Sequence, residues 1–236
     1  MRRLTVAATG VALILSACGD RVSAGSGHRP GPARTIGPGT TATSPSVVRK
    51  PHRVHRHHAD PGRLPQTHQL PSAHSRQFRH EMADLWAGIA RGRLGPARTA
   101  FFPESAYAQV KAISDSRADW HARLLSGFAA DISAAHAFLG RAVPRARLIG
   151  VRVPAGYAHW VVAGTCSNRT GYWEVPNSRL VYRARGRVHS FGIASLISWR
   201  GVWYVVHLGA VVRSGPGGMV DDPSSGPGSS APSSTC

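Results

Sequence analysis

Glu174, His159 and His207 are the residues of this chain whose types suit acid–base work. Glu174 is the only carboxylate between residues 144 and 213, and a carboxylate beside an imidazole supplies proton acceptor and donor near neutral pH. The same residues also read blandly, with Glu174 facing outward beside Arg179 or Arg183 and the histidines as ordinary strand positions, so no catalytic residue is assigned. A second group is aromatic. Trp160, Trp173, Trp199 and Trp203 are four of the six tryptophans, and Tyr172 and Tyr204 lie among them. Trp and Tyr join an apolar body to a polar tip, so Trp160, Tyr172, Trp199 and Trp203 are the candidate walls of a ligand pocket. They equally suit a core where helices meet a sheet. Alternation along a strand sends Tyr172 and Trp173 to opposite faces. His52, His55, His57 and His58 crowd imidazoles into a basic stretch, yet no paired-Cys or His-Glu spacing accompanies them, so no metal centre is assigned. A phosphate-cradling glycine loop and a Gly-x-Ser-x-Gly nucleophile turn are also absent from the sequence, and no cofactor is expected.

The elements that would position these residues follow from periodicity. Phe78, Met82, Leu85, Trp86 and Ile89 form one helical stripe over residues 76–91, stopped at Gly92. A short helix begins near Pro103, with Tyr107, Val110 and Ile113 as its inward positions. Asp115 or Ser116 caps a longer one, in which Trp120, Leu124, Phe128, Ile132 and Leu139 recur at near-fourfold spacing up to Gly140. Beyond Pro144 the period falls to two. Ile149, Val151 and Val153 alternate with Leu148, Gly150 and Arg152, and β-rich runs follow at 160–163, 171–175, 180–182, 188–199 and 202–212. Arg185-Gly186 and Arg200-Gly201 are two-residue hairpin turns, and Pro176-Asn177 marks another reversal. Helices followed by an antiparallel meander predict an α+β domain with the helices on one sheet face.

This domain spans residues 76–213. Residues 19–75 carry Gly, Pro, Ser, Arg and His without apolar periodicity and read as a disordered basic linker, and 214–236 as a disordered Gly/Pro/Ser tail. The 236 residues hold 29 Lys and Arg against 11 Asp and Glu, a net charge of +18. Such a field attracts polyanions, and Arg145, Arg147, Arg152, Arg183, Arg185 and Arg187 gather around strands and a turn. A solvated surface of scattered arginines is the alternative reading. At the other end, residues 4–17 form the only strongly apolar run. At 14 residues it is too short for ~30 Å of hydrocarbon at 1.5 Å per residue, which excludes a polytopic membrane protein.

Leu15-Ser16-Ala17-Cys18 resembles the lipobox of bacterial lipoproteins. The resemblance implies that 1–18 is a signal peptide, that Cys18 carries a diacylglyceryl group, and that the protein sits on the outer face of the cell membrane. Two chains make a stable anchor where one does not. In that oxidising compartment Cys166 and Cys236 can form a disulfide, or Cys166 can stay free. Chromosomal DNA is out of reach there, so no nucleic-acid partner is expected, whereas anionic lipid and cell-wall polymer are. The stretches Gly171-Tyr172-Trp173-Glu174-Val175-Pro176 and Phe191 to Gly209 resemble a group of actinobacterial lipoproteins, a likeness that carries no activity. The arginine-heavy usage, with Lys only at 50 and 111, fits such a high-GC source. Three helices followed by long final strands are similar to NTF2-like (cystatin-like) domains, in which helices and a curved sheet form a cone around a pocket. The expectation is a membrane-anchored envelope lipoprotein displaying a non-enzymatic binding domain for a small ligand or a protein partner. Two alternatives stand beside it: a small-molecule enzyme using Glu174 with His159 or His207, and an electrostatic binder of anionic cell-wall polymer.

Overall fold

The computed structural model describes residues 60–209 and 217–220, all within one compact unit, His55–Cys236. The lipobox, the histidine cluster at 52–58, Cys236 and most of the tail lie outside the described residues. Helix α1 covers Arg76–Arg91, the span its apolar spacing predicts. Ser75 caps it by accepting the Phe78 N–H at 3.1 Å, and Gly92 closes it at φ 61°, a left-handed turn in which a side chain would also strike His136. Its buried stripe is Phe78, Met82, Leu85 and Ile89, with Trp86 half-buried against Tyr182. The turn α2 (Leu94–Ala97) leads to Phe101, Phe102 and α3 (Glu104–Val110), where Tyr107 and Val110 are buried. Ile113 falls beyond the helix and is half-exposed.

The third helical stretch is composite. Asp115 caps it through the Ala118 N–H at 2.9 Å. Then come α4 (Ser116–Asp119), a wide π turn (Trp120–Leu125) and α5 (Ser126–Leu139). Fourfold spacing drifts about 40° per step on an α-helix. The wider turn absorbs that drift, and Trp120, Leu124, Phe128, Ile132 and Leu139 are all buried.

Five antiparallel strands follow, so the class is α+β: β1 (Arg147–Arg152), β2 (His159–Val161), β3 (Tyr172–Ala184), β4 (Arg187–Trp199) and β5 (Val202–Leu208). The order is β1-β3-β4-β5, with β2 also on β3. Arg185-Gly186 and Arg200-Gly201 make the two hairpin turns with both residues of each at positive φ. Two strand readings need correction. Pro176-Asn177 is no reversal, because β3 continues through it, with Asn177 at φ 55°. Both residues fall between the stretch paired with β2 and the stretch paired with β1, so neither of those ladders needs the missing proline N–H. Ile149 was expected to share a face with Val151. A bulge between Leu148 and Gly150 breaks that alternation and leaves Ile149 exposed.

Both segment boundaries also move. Residues 60–75, expected in the linker, are strapped to the sheet. The Gln66 side chain donates to the Ser198 carbonyl and accepts the Arg200 N–H. Trp199 Nε1 donates to the Pro61 carbonyl, and Trp173 Nε1 to that of His68. Beyond β5, residues 217–220 return to the body, where the Met219 N–H meets Asp131 and the Val220 carbonyl accepts from Gly192. Linker and tail were read from composition, and these bonds need only backbone groups and a few polar side chains.

Candidate functional site

The helices, the Phe101–Phe102 segment and the edge of β5 enclose a cleft. Phe102 N–H bonds to the Val205 carbonyl, which lays this segment along β5. Phe101 stacks on Phe128 with centroids 4.6 Å apart, and Trp120 donates its Nε1–H to the Phe102 carbonyl at 2.9 Å. Phe101, Trp120 and Tyr204 thereby become fixed apolar walls of a cavity of about 940 Å³. Its polar lining includes Asp60, Glu81, Asp84 and Glu104, with Arg76, His80 and Arg98. Those four acids are half of the eight between residues 60 and 209, so the few carboxylates of a cationic body converge on one cleft.

Three of the four have a basic side chain beside them. Asp60 lies 3.7 Å from Arg63, Asp84 3.4 Å from His80, and Glu104 2.8 Å from Arg117. Glu81 makes no ion pair. It is 7% exposed, its Oε1 accepts from Gln77 Nε2 at 3.0 Å, and its enclosed Oε2 has no hydrogen-bond partner. Burial raises its pKa from 4.5 to about 7; the Gln77 bond opposes the shift, and the neighbouring charge of Asp84 adds to it. The Tyr204 phenol is held well above its ordinary value by burial first, then by the nearby charges of Glu81 and Asp60. Arg98 stands over the Trp120 ring at 5.6 Å. The cleft therefore offers aromatic walls, an uncompensated buried carboxyl and cations at its margin.

The residues expected to form a site lie elsewhere. Trp160 packs under Gly171 and against His68 and Trp173. Trp199 is fully buried with its edge toward Phe102, and Trp203 and Tyr172 are buried. None of these four lines the cleft. The strap occupies the polar tip of Trp199 and the face of Trp160, leaving Tyr204 as the one member of the aromatic group that reaches the cavity.

His159 and Glu174 are cross-strand partners, their Nε2 and Oε2 atoms 3.9 Å apart. Glu174 is buried, so the outward reading fails, and Arg179 is buried against Ser190 instead. His207 lies opposite Ser195 on β5, two strands from Glu174 and so about 10 Å across the sheet. Cys166 is disulfide-bonded, and the pairing with Cys236 falls outside the described residues. No described cluster of three His, Cys, Asp or Glu side chains is placed to hold a metal ion.

Glu81 and Asp131 are the functional-looking groups that the sequence reading passed over. Both sit on apolar stripes, Glu81 at three residues from Phe78 and Asp131 at three from Phe128. An acid at a core position of a helical stripe was the available signal. Asp131 is fully buried and accepts the Leu208 and Met219 N–H groups at 2.9 and 2.8 Å, tying β5 and the returning tail to α5.

A second, smaller cavity of about 370 Å³ lies at the opposite charge extreme, between the end of α5 and the β3–β4 hairpin, with Arg185, Arg187 and His189 on its rim and no carboxylate in its lining. Comparison of the chain with protein-family models, with curated proteins and with solved structures finds no match.

Proposed function

We propose that this chain is an envelope lipoprotein, anchored through Cys18, whose α+β body binds a small ligand in the cleft walled by Phe101, Trp120 and Tyr204. The observation that carries the binding reading is Glu81, a buried carboxyl without a counter-charge beside a cavity large enough for a drug-sized molecule. A ligand with an apolar body and a hydrogen-bond-donating, preferably ammonium, group suits it. The terminal torsion of a glutamate is soft, so a small turn of the carboxyl brings its empty oxygen to a donor in the cleft. Thr99 donates its hydroxyl to Asp84 at 2.8 Å within the lining, an exposed contact; the binding reading is built on the enclosed Glu81 carboxyl instead. Acid–base chemistry by Glu174 with His159 has their 3.9 Å contact in its favour, but neither residue lines either cavity.

The lipoprotein half of the proposal rests on Leu15-Ser16-Ala17-Cys18 and the short apolar run before it. Disulfide and lipid mapping of protein taken from cell membranes tests it. The expected result is diacylglycerol on Cys18 and a Cys166–Cys236 bridge. A bridge between Cys166 and Cys18 would leave no thiol for the lipid and would overturn the anchor.

A further inference from the structure

The hairpin corner of the body points to a second interaction, distinct from the cleft: we infer that the β3–β4 tip and the end of α5 dock onto an anionic lipid surface. Six arginines occupy this corner. Arg141 and Arg145 belong to the turn after α5, Arg185 and Arg187 rim the 370 Å³ groove, and Arg147 and Arg183 face each other across β1 and β3. All six are exposed, and none is within ion-pairing distance of a described carboxylate. Like charges directly opposite on neighbouring strands repel, as Arg147 and Arg183 do. Arg147 also donates to the Pro144 and Ala146 carbonyls at 2.8 Å each, neutral acceptors that leave the charge for an outside anion to balance.

The groove decides which anion. Its floor is Leu139, Ala142, Tyr182 and Ala184, and beside it Phe138 keeps 55% of its surface exposed, held edge-on against Phe191. A soluble polyanion would meet the arginines and leave Phe138 and this floor in water. A bilayer satisfies both, with phosphates at the guanidinium groups and the glycerol–acyl boundary against the ring, the arrangement in which aromatic and basic residues hold proteins at membrane interfaces. The tip residue adds to this. Arg185 occupies a left-handed turn position at φ 51°, where Asn or Gly is the ordinary choice, and it projects a guanidinium from the furthest point of the hairpin.

The test uses the unit His55–Cys236, so that neither an acyl chain nor the apolar run at 4–17 contributes. Its partition is measured onto vesicles of zwitterionic lipid with and without about 30% phosphatidylglycerol. The expected result is binding to the anionic vesicles alone, weakened by salt. Arg185→Asn and Arg187→Gln each lower the partition about fivefold, and about 25-fold together. Arg185→Asn suits the turn better than the native residue, so its unfolding temperature holds or rises, and its loss of binding is not a loss of fold. Phe138→Ser lowers binding at high salt as well as low. Equal binding by parent and arginine variants overturns the inference. So does retention on soluble polyphosphate that competes fully with vesicles while Phe138→Ser changes nothing, which assigns the corner to a polyanion instead.

Discussion

The cleft beside α1 and the groove at the hairpin tip are built from the same two ingredients, an apolar floor and charged margins, with opposite sign. The cleft gathers half of the acids between residues 60 and 209, while the groove has none in its lining and six exposed arginines around it. Arginines are spread over the whole body, 13 of the 19 Lys and Arg between residues 60 and 209 lying away from the corner; it is the carboxylates that are concentrated. The cleft and the corner suit different partners: a small molecule against fixed aromatic walls, and an extended surface met by the hairpin tip. Net charge describes long-range attraction; the location of the few carboxylates decides what binds where.

Four changes would sharpen or break this contrast. The largest expected effect belongs to a carboxylate outside both sites. Asp131→Ala strands the Leu208 and Met219 N–H groups and should cost about 3 kcal/mol in urea unfolding, as removal of a buried charged acceptor does. If it costs nothing, burial alone does not mark an acid as structural, and Glu81 loses its contrast.

Glu81 predicts an effect of similar size but opposite sign. Its pKa of about 7 in the folded state exceeds the ordinary 4.5, so between those values the folded protein holds a proton that the unfolded chain has released. Stability therefore falls as pH rises from about 4.5 to about 7, by up to about 3 kcal/mol. Glu81→Gln should match the parent near pH 4.5, exceed it above pH 7, and flatten the profile of unfolding temperature against pH. An unchanged profile would mean that the carboxyl is already satisfied and the cleft has no unmet acceptor.

A smaller effect separates the two regions by location. Gln66→Ala removes the bonds to the Ser198 carbonyl and the Arg200 N–H and should cost about 1–2 kcal/mol. It loosens the strap that begins at Asp60 and Pro61 on the cleft wall. Hydrogen exchange should rise at Arg200 while the Arg185 hairpin stays protected. Smallest is Arg185→Asn, which relieves a positive-φ position and should stabilise by about 0.5–1 kcal/mol in the same urea assay, leaving the cleft unaltered. A destabilised Arg185→Asn variant would mean that the arginine packs at the tip rather than projecting from it.

The two long helices were legible from their apolar stripes and end signals: Gly92 after α1, and Asp115 before the composite stretch that ends at Gly140. The two hairpin turns were legible for the same reason, with Gly supplying the left-handed residue. What sequence pattern missed is non-local. Pro176-Asn177 looks like a reversal until the pairing of β3 with β2 on one side of it and β1 on the other is known. The Ile149 bulge is set by pairing with β3. Residues 60–75 have the composition of a linker, yet they are held by indole and amide groups more than 100 residues away. The aromatic residues Trp160, Tyr172, Trp199 and Trp203 were expected as pocket walls, but the strap takes the polar tip of Trp199 and the face of Trp160, and the cavity lies at Trp120 and Tyr204. Glu81 and Asp131 were visible only as acids on apolar stripes, a pattern that tells of burial and not of what each carboxyl meets.

The cleft itself is tested most directly by titrating the unit His55–Cys236 at pH 8 with phenethylamine, an aromatic body with a primary ammonium, while following tryptophan emission. Trp120 is the one tryptophan lining the cleft, so the account predicts a saturable change that disappears in Trp120→Phe and is abolished or greatly weakened in Glu81→Gln. A change of equal size and midpoint in all three proteins would contradict it, as would no saturable change in the parent.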